Sequence, residues 1–548
     1  MIKAEADQFM NTDQKYGFDV WGFIHLTRVL DGAELAACNQ AFDPACGLHR
    51  DSFCSLLEHP VLTDCLKTIC GDDYSMDQAT ELMPPGADPA ARVKLVAGTP
   101  ERNRRLRYIR YHNAPICHGV CVLWALATAP PAESALVVVP ASHKRNFEPP
   151  ADLLSGDDDM AMTLELPLEA GDLVILAATT LYGLRGRASR LVKSEYVSQR
   201  MMPSDGFCEI PPPQWTRELA PEQQAVIGPR TSGTGGGVIS NGRQVRLSDE
   251  TEQTPATEFY LNSATAPDPK ELFFWDVNGY LVLRDIMDED WLAAAHRSID
   301  AAIEAQPTLA DGHPAKFEEV PEAILRENNG EWPADTSSRL RGHIHRPRIG
   351  GLYDLPKPHC ESFRKMIAHP PIVQRLNWML GTGFRELFEP MCCIYSKGTS
   401  GGSLHGQSSC DYATGARFPL LDNLNVMWSL NDEAPGFGEN SGGFICVPGS
   451  HKASYEIPGP KTISIDLPQV HKPALKAGDV LYFGSVAHGT TAWRSDWNRR
   501  NVIQFMASRN IRVRPGALAG WRWSTDPQRL SKAAPAAAHR TAMPLAGD

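Results

Sequence analysis

Apolar and polar positions alternate over short runs in the later part of the chain, as in LNVMWSL (424–430), GGFICV (442–447), DVLYFGSV (479–486) and NVIQFMAS (501–508). A period of two over such lengths is the signature of strands that bury one face, and the Gly, Pro and Asn residues between them supply turns. Several short strands at this spacing suit an antiparallel barrel or jelly roll. LLEHPVL (56–62) and MIAHPPIV (366–373) each close a segment of helical pattern ahead of the strands.

The pattern occurs twice. FDVWGFIHLTRVLDGAEL (18–35) matches WDVNGYLVLRDIMDEDWL (275–292), both reading as a short strand around a glycine followed by an acid-capped helix start. VVVPASHKRNFEPP (137–150) pairs with ICVPGSHKASYEIP (445–458), and LEAGDLVILAATTLYG (168–183) with LKAGDVLYFGSVAHG (475–489). Together with the two His-Pro segments these matches keep one order, which implies two copies of one fold. The expected architecture is mainly β with flanking helices: two tandem double-stranded β-helix (jelly-roll, cupin-like) domains. The boundaries read as 1–226 for the first domain, a Gly/Ser/Thr-rich linker at 227–265, the second domain at 266–525 and a tail at 526–548.

Composition narrows the class. A chain of 548 residues exceeds one ordinary domain, and 42% hydrophobic with 22% charged residues is a globular balance. No apolar run approaches the roughly 18 residues of a membrane span, and the N-terminus has no secretory h-region, so a cytoplasmic protein is expected. A net charge of -12, without a basic stripe, argues against nucleic acid as a partner. The 13 cysteines lack paired CxxC spacing and read as buried thiols.

Candidate chemistry gathers in the second copy. His405 follows two glycines in GGSLHGQSSCDY, and His488 opens AHGTTAWRSDWNRRNVIQF, with Arg499 eleven residues further on. If the chain returns there as a hairpin, His488 and Arg499 face one barrel mouth from adjacent antiparallel strands. An imidazole ligand would then lie beside a guanidinium able to grip a carboxylate in a bidentate pair. Side chains alternate along a strand, so only one of Arg499 and Arg500 points inward. The same alternation puts Trp428 and Asn425 on opposite faces, without saying which face is interior.

These motifs resemble the phytanoyl-CoA dioxygenase family of Fe(II)/2-oxoglutarate oxygenases: WDVNGYLVL, a histidine loop, ENSGGFICVPGSHK, LKAGDVLYF and HGTTAWRSDWNRR. The resemblance covers 268 to about 512 and, in motif order, 15 to about 202. It implies His405 and His488 as iron ligands and Arg499 as the anchor for the 2-oxoglutarate tail. Arg500 is its neighbour, and Asn425 is a candidate hydrogen-bond partner for the cosubstrate. The implied reaction couples decarboxylation of 2-oxoglutarate by O2 to hydroxylation of a small or medium organic substrate.

The departure is Gln407, where the family has an acid. A neutral amide is a poor ligand beside a carboxylate. Gln407 can ligate or orient a water, Asp411 can swing in from the loop, an anion can fill the position as in the iron halogenases, or no iron binds. A non-catalytic tandem-barrel scaffold is the rival of another class.

In the first copy Tyr182 stands at the place of His488, and Lys193 lies eleven residues beyond it. His112 and His118 fall near the first-ligand region with no acid at HxD spacing, so this copy is expected to be degenerate. His143 and His451, which recur in both copies, are expected to be structural, with Ser142 and Ser450 making turn bonds. HIHRPR (343–348) reads as a solvated loop.

Overall fold

The structure is a computed structural model that describes residues 10–43, 47–48, 50–83, 92–111, 114–128, 134–186, 190–198, 238–240, 243–245, 267–304, 316–317, 348–381, 384–395, 397, 401–406, 421, 423–433, 442–458 and 467–507. His112, Gln407, Asp411, nearly all of the expected linker and the expected tail lie outside these residues. The chain divides into two compact units, one built mainly from residues before 254 and one from residues after, with Lys452–Pro458 belonging to the first.

Each unit carries a large and a small antiparallel sheet. In the first the large sheet runs Phe23–Leu26, Leu173–Ala177, Gly119–Ala125, Leu191–Ser198, Tyr74–Leu82, and the small one Leu181–Gly186, Ser134–Val139, Leu164–Leu166. In the second the large sheet runs Tyr280–Leu283, Val480–Phe483, Asn423–Ser429, Arg499–Ala507, Arg385–Tyr395, Arg348–Gly350, Lys316–Phe317. Its small sheet is Gly402–His405, His488–Thr491, Gly443–Cys446. One core of the second unit joins Met427, Leu481 and Phe483 of the large sheet to Phe444 and Cys446 of the small one, so the sheets face each other across apolar side chains. Helices Glu289–Glu304 and Pro370–Leu380 are part of the same unit.

The repeat extends to single hydrogen bonds. The segments read as strands around a glycine are helices that end there: Thr12–Trp21 stops at Gly22 (φ 80°) and Pro269–Asn278 at Gly279 (φ 76°), and strands begin one residue later. The left-handed conformation terminates each helix, and only glycine adopts it without strain. A Cβ on Gly22 would lie 2.4 Å from His143 Nδ1, and one on Gly279 2.4 Å from His451 Nδ1. His143 and His451 contact the Asp19 and Asp276 carbonyls through Nε2, at 3.1 and 2.9 Å. Both are buried, and both hold a helix end against its PxSHK turn.

The AGD turns are equally matched. Asp172 accepts from the backbone N–H of Arg28 and Glu169, and Asp479 from that of Asp285 and Lys476. Ser142 and Ser450 accept from Leu181 N–H and Ala487 N–H, so each serine pins the residue before Tyr182 or His488. Their hydroxyls thus bond across the fold, beyond the local turn expected of them.

Candidate active site

His405 and His488 end up side by side. They are direct cross-strand partners in the small sheet of the second unit, with ring centroids 4.4 Å apart. Opposite residues of an antiparallel pair carry their Cβ atoms on one side, which brings two imidazoles from distant segments together. His488 is half-buried and His405 exposed.

The tautomer of His488 follows from its surroundings. Nδ1 lies 2.8 Å from the Val486 carbonyl, which can only accept, so Nδ1 carries the hydrogen and Nε2 keeps its lone pair. Phe483 packs edge-on at 4.6 Å and Phe444 stacks at 6.1 Å. Burial first, and then the neighbouring His405, push the His488 pKa down to about 3, so the ring is neutral across the physiological range. Gly406 (φ 80°) completes the cradle, since a Cβ there would meet His488 Cε1 at 2.5 Å. Two imidazoles, one of them with Nδ1 tied to a carbonyl and its Nε2 lone pair kept, are the donor chemistry a ferrous ion accepts. Among the described residues no group of three His, Cys, Asp or Glu side chains converges as a metal site, and Gln407 and Asp411 lie outside them.

Arg499 opens a strand of the opposite sheet. The expectation of adjacent hairpin strands is corrected: His488–Thr491 pairs with Gly402–His405 and Gly443–Cys446, whereas Arg499–Ala507 pairs with Arg385–Tyr395 and Asn423–Ser429. The connection between them crosses from one sheet to the other. Arg499 nevertheless points into the space between the sheets, with Nη2 3.6 Å from Met427 Sδ and the guanidinium 4.7 Å above the Tyr395 ring.

Arg499 is 1% exposed and ion-paired, through Nε and Nη2, with Glu433 Oε1. Burial opposes its charge, but Glu433 and Tyr395 raise its pKa above the ordinary arginine value. Asn501, with its amide donating to the Cys393 carbonyl at 3.0 Å, offers its oxygen to Nη2 at 3.3 Å. Among the described residues Nη1, which is buried, has no hydrogen-bond partner. A buried guanidinium donor without a partner is chemistry that an anionic oxygen would satisfy, which fits a 2-oxo acid tail.

Arg500 faces the other way, towards helix Glu289–Glu304, where Nη2 meets Asp300 Oδ1 at 2.5 Å and Nη1 meets His296 Nδ1 at 3.2 Å. A cosubstrate between the sheets lies on the opposite side of this strand. Trp428 is on that outer face too, against Trp291 at 5.5 Å and His369 at 6.2 Å. Asn425 shares the face of Met427, between the sheets, and stands opposite Phe483 and Phe505 in register.

The first unit keeps the frame without the histidines. Tyr182 pairs with Val138 as His488 pairs with Cys446, and its other neighbour is Val96, whose N–H donates to the Tyr182 carbonyl at 2.7 Å. Val96 therefore holds the place of His405. His118 instead directly precedes strand Gly119–Ala125, buried, with neither ring nitrogen hydrogen-bonded among the described residues and its pKa lowered to about 4 by burial and by Arg107.

Lys193 does not take the place of Arg499 either. It lies opposite Leu123 as Ile503 lies opposite Met427, and Leu126 N–H reaches Arg190 as Leu430 N–H reaches Arg500. The counterpart of Arg499 therefore falls at position 189, outside the described residues, because the connecting segment is shorter. Lys193 and Arg102 both pair with the buried Glu195 at 3.0 Å.

Sequence reasoning missed Glu433, Val96 and the Val486 carbonyl. Only Gly406 carried a local signal, as the glycine directly after His405.

The sequence matches the family model for phytanoyl-CoA dioxygenase (PhyH) over residues 102–186 and 275–501, one stretch in each copy. No curated protein matches it. Similar solved structures include HygX from Streptomyces hygroscopicus with nickel and 2-oxoglutarate bound, at 17% identity and TM-score 0.32, covering 45% of this chain and 89% of that one. EctD from S. alaskensis, with 2-oxoglutarate and 5-hydroxyectoine, has 17% identity and TM-score 0.32 over 46% of this chain and 80% of its own. The carbocyclase SnoK of nogalamycin biosynthesis has 16% identity and TM-score 0.32 over 52% and 94%.

Proposed function

The chain belongs to the phytanoyl-CoA dioxygenase family of non-haem Fe(II)/2-oxoglutarate-dependent oxygenases, and from that premise we propose that its second unit is the working oxygenase and hydroxylates a small or medium organic substrate. His405 and His488 would hold the iron, and Arg499 would receive the distal carboxylate of 2-oxoglutarate. Iron with this cosubstrate supplies the oxidising power drawn from O2. The observation that carries the reading is the cross-strand histidine pair, present in this copy and replaced by Val96 and Tyr182 in the other.

The protein's own residues do the rest by position. Val486 fixes the ring of His488 through Nδ1, and Phe444 and Phe483 keep water from its flank. Arg499 offers Nη1 between the sheets, where the low dielectric strengthens a charge-assisted bond. Asn425 lines the same interior and can donate an amide hydrogen to the bound acid.

Anaerobic titration of the full chain with Fe(II), then with 2-oxoglutarate, tests the proposal. One equivalent of iron is expected, with saturable 2-oxoglutarate binding that depends on it. Absence of both would leave a tandem-barrel scaffold.

A further inference from the structure

Glu433 is a buried carboxylate against the proposed cosubstrate anchor Arg499, and neither the family match nor the histidine pair accounts for it. It is 3% exposed and reaches in from the segment after strand Asn423–Ser429. Its backbone N–H donates to the Leu475 carbonyl at 2.9 Å, and its Oε2 accepts from Phe444 N–H at 2.9 Å. Gly443 (φ 116°) makes the room: a Cβ at that position would lie 2.0 Å from Oε2. The carboxylate is thus built in, with a backbone donor on one oxygen and Arg499 on the other.

This pairing changes what Arg499 can do. A guanidinium grips a carboxylate best through two parallel N–H groups, and both edges that allow this include Nη2. Glu433 Oε1 takes the Nε/Nη2 edge and the Asn501 oxygen faces Nη2 at 3.3 Å, so Nη1 is the one guanidinium nitrogen left without a partner among the described residues. The pair by itself is neutral and sets a like charge beside an incoming carboxylate, with Lys472 the further cation in electrostatic reach of both groups. Resting on the reading of Arg499 as the cosubstrate anchor, we infer that Glu433 is a specificity-determining residue that weakens the site's selection for a 2-oxo acid with a charged tail.

Two 2-oxo acids of equal chain length separate the possibilities. 2-Oxopentanoate carries a methyl group where 2-oxoglutarate carries its distal carboxylate, and both have the same metal-chelating end. Calorimetric titration of the anaerobic, Fe(II)-loaded full chain gives the ratio of their dissociation constants without turnover. In the wild-type protein 2-oxoglutarate is expected to bind less than tenfold tighter than 2-oxopentanoate. Glu433→Gln should raise that preference at least tenfold, through tighter 2-oxoglutarate binding. A wild-type preference above tenfold overturns the inference, as does a folded Glu433→Gln protein with an unchanged ratio. The wild-type ratio is decisive should that variant not fold. Binding of neither acid to an iron-loaded chain would instead overturn the reading of Arg499 as anchor, and this inference with it.

Discussion

Where the second copy sets His405 against His488 across two paired strands, the first sets Val96 against Tyr182 through an isolated bridge, and Ser142 and Ser450 pin the residue before Tyr182 and His488. What the copies share is the frame: the glycine that ends the first helix, the histidine packed on it, and the aspartate that closes the AGD turn. What they do not share is the chemistry of the side chains between the sheets. Behind Tyr182 the first copy has Cys121, with Sγ 4.0 Å from the phenol, and the Arg102, Glu195 and Lys193 ion pairs. Glu195 is opposite Cys121 in register, where the second copy has Phe505 opposite Asn425. Residues kept in both copies therefore serve the fold, and residues found in one are the ones to question for function.

The largest effect that could break this contrast is on metal. His488→Ala should reduce Fe(II) uptake from one equivalent per chain to none, while Tyr182→Phe leaves it unchanged. Two equivalents in the wild-type protein would mean that the first copy has a centre of its own.

Next in size is Arg499→Ala, which should weaken 2-oxoglutarate by about a hundredfold, because it removes the Nη1 donor and also leaves the Glu433 carboxylate unneutralised beside the distal carboxylate, with Fe(II) affinity within about threefold. Equal losses would mean that Arg499 acts on the fold rather than on the cosubstrate. The variant also leaves Glu433 buried without its partner, so thermal stability should drop as well.

The shared frame predicts matched stability losses. Gly279→Ala and Gly22→Ala each place a Cβ in a left-handed conformation and against an imidazole, at a cost of about 2 kcal/mol or more. Each should lower the unfolding transition of its own unit in calorimetry. A loss confined to one copy would show that the frames are not energetically equivalent.

The smallest effect concerns acid. Burial raises the Asp172 pKa, but bonds from His25 and from the Glu169 and Arg28 N–H groups outweigh it and hold the carboxyl below its ordinary value. A depressed folded pKa contributes stability that is fully present above the unfolded value of roughly 3.9 and is lost as pH falls through the folded one. Asp172→Asn should therefore cost about 1–2 kcal/mol at pH 7. The difference from wild type should vanish at low pH, read from denaturant curves in the two conditions.

Much of the fold was legible because its signals are local or repeated. Period-two runs gave the strands, and the order of four motif pairs gave two copies. Alternation decided that Arg499 and Arg500 part company at the sheet, though it took the contact with Met427 to say that Arg499 is the inner one. FDVW and WDVN misled, because a strand-like apolar run before a glycine looks the same as the last turn of a helix that the glycine ends.

The sequence by itself determined the tandem repeat, the helix-flanked β architecture and the two histidines with one arginine that mark the second copy. Only the tertiary structure decided that His488 and Arg499 belong to opposite sheets, that Val96 rather than a histidine meets Tyr182, and that Glu433 claims the guanidinium. Periodicity records which face of its own element a residue occupies. Cross-strand partners and buried ion pairs are set by segments far apart along the chain, and no local pattern encodes which of them will meet.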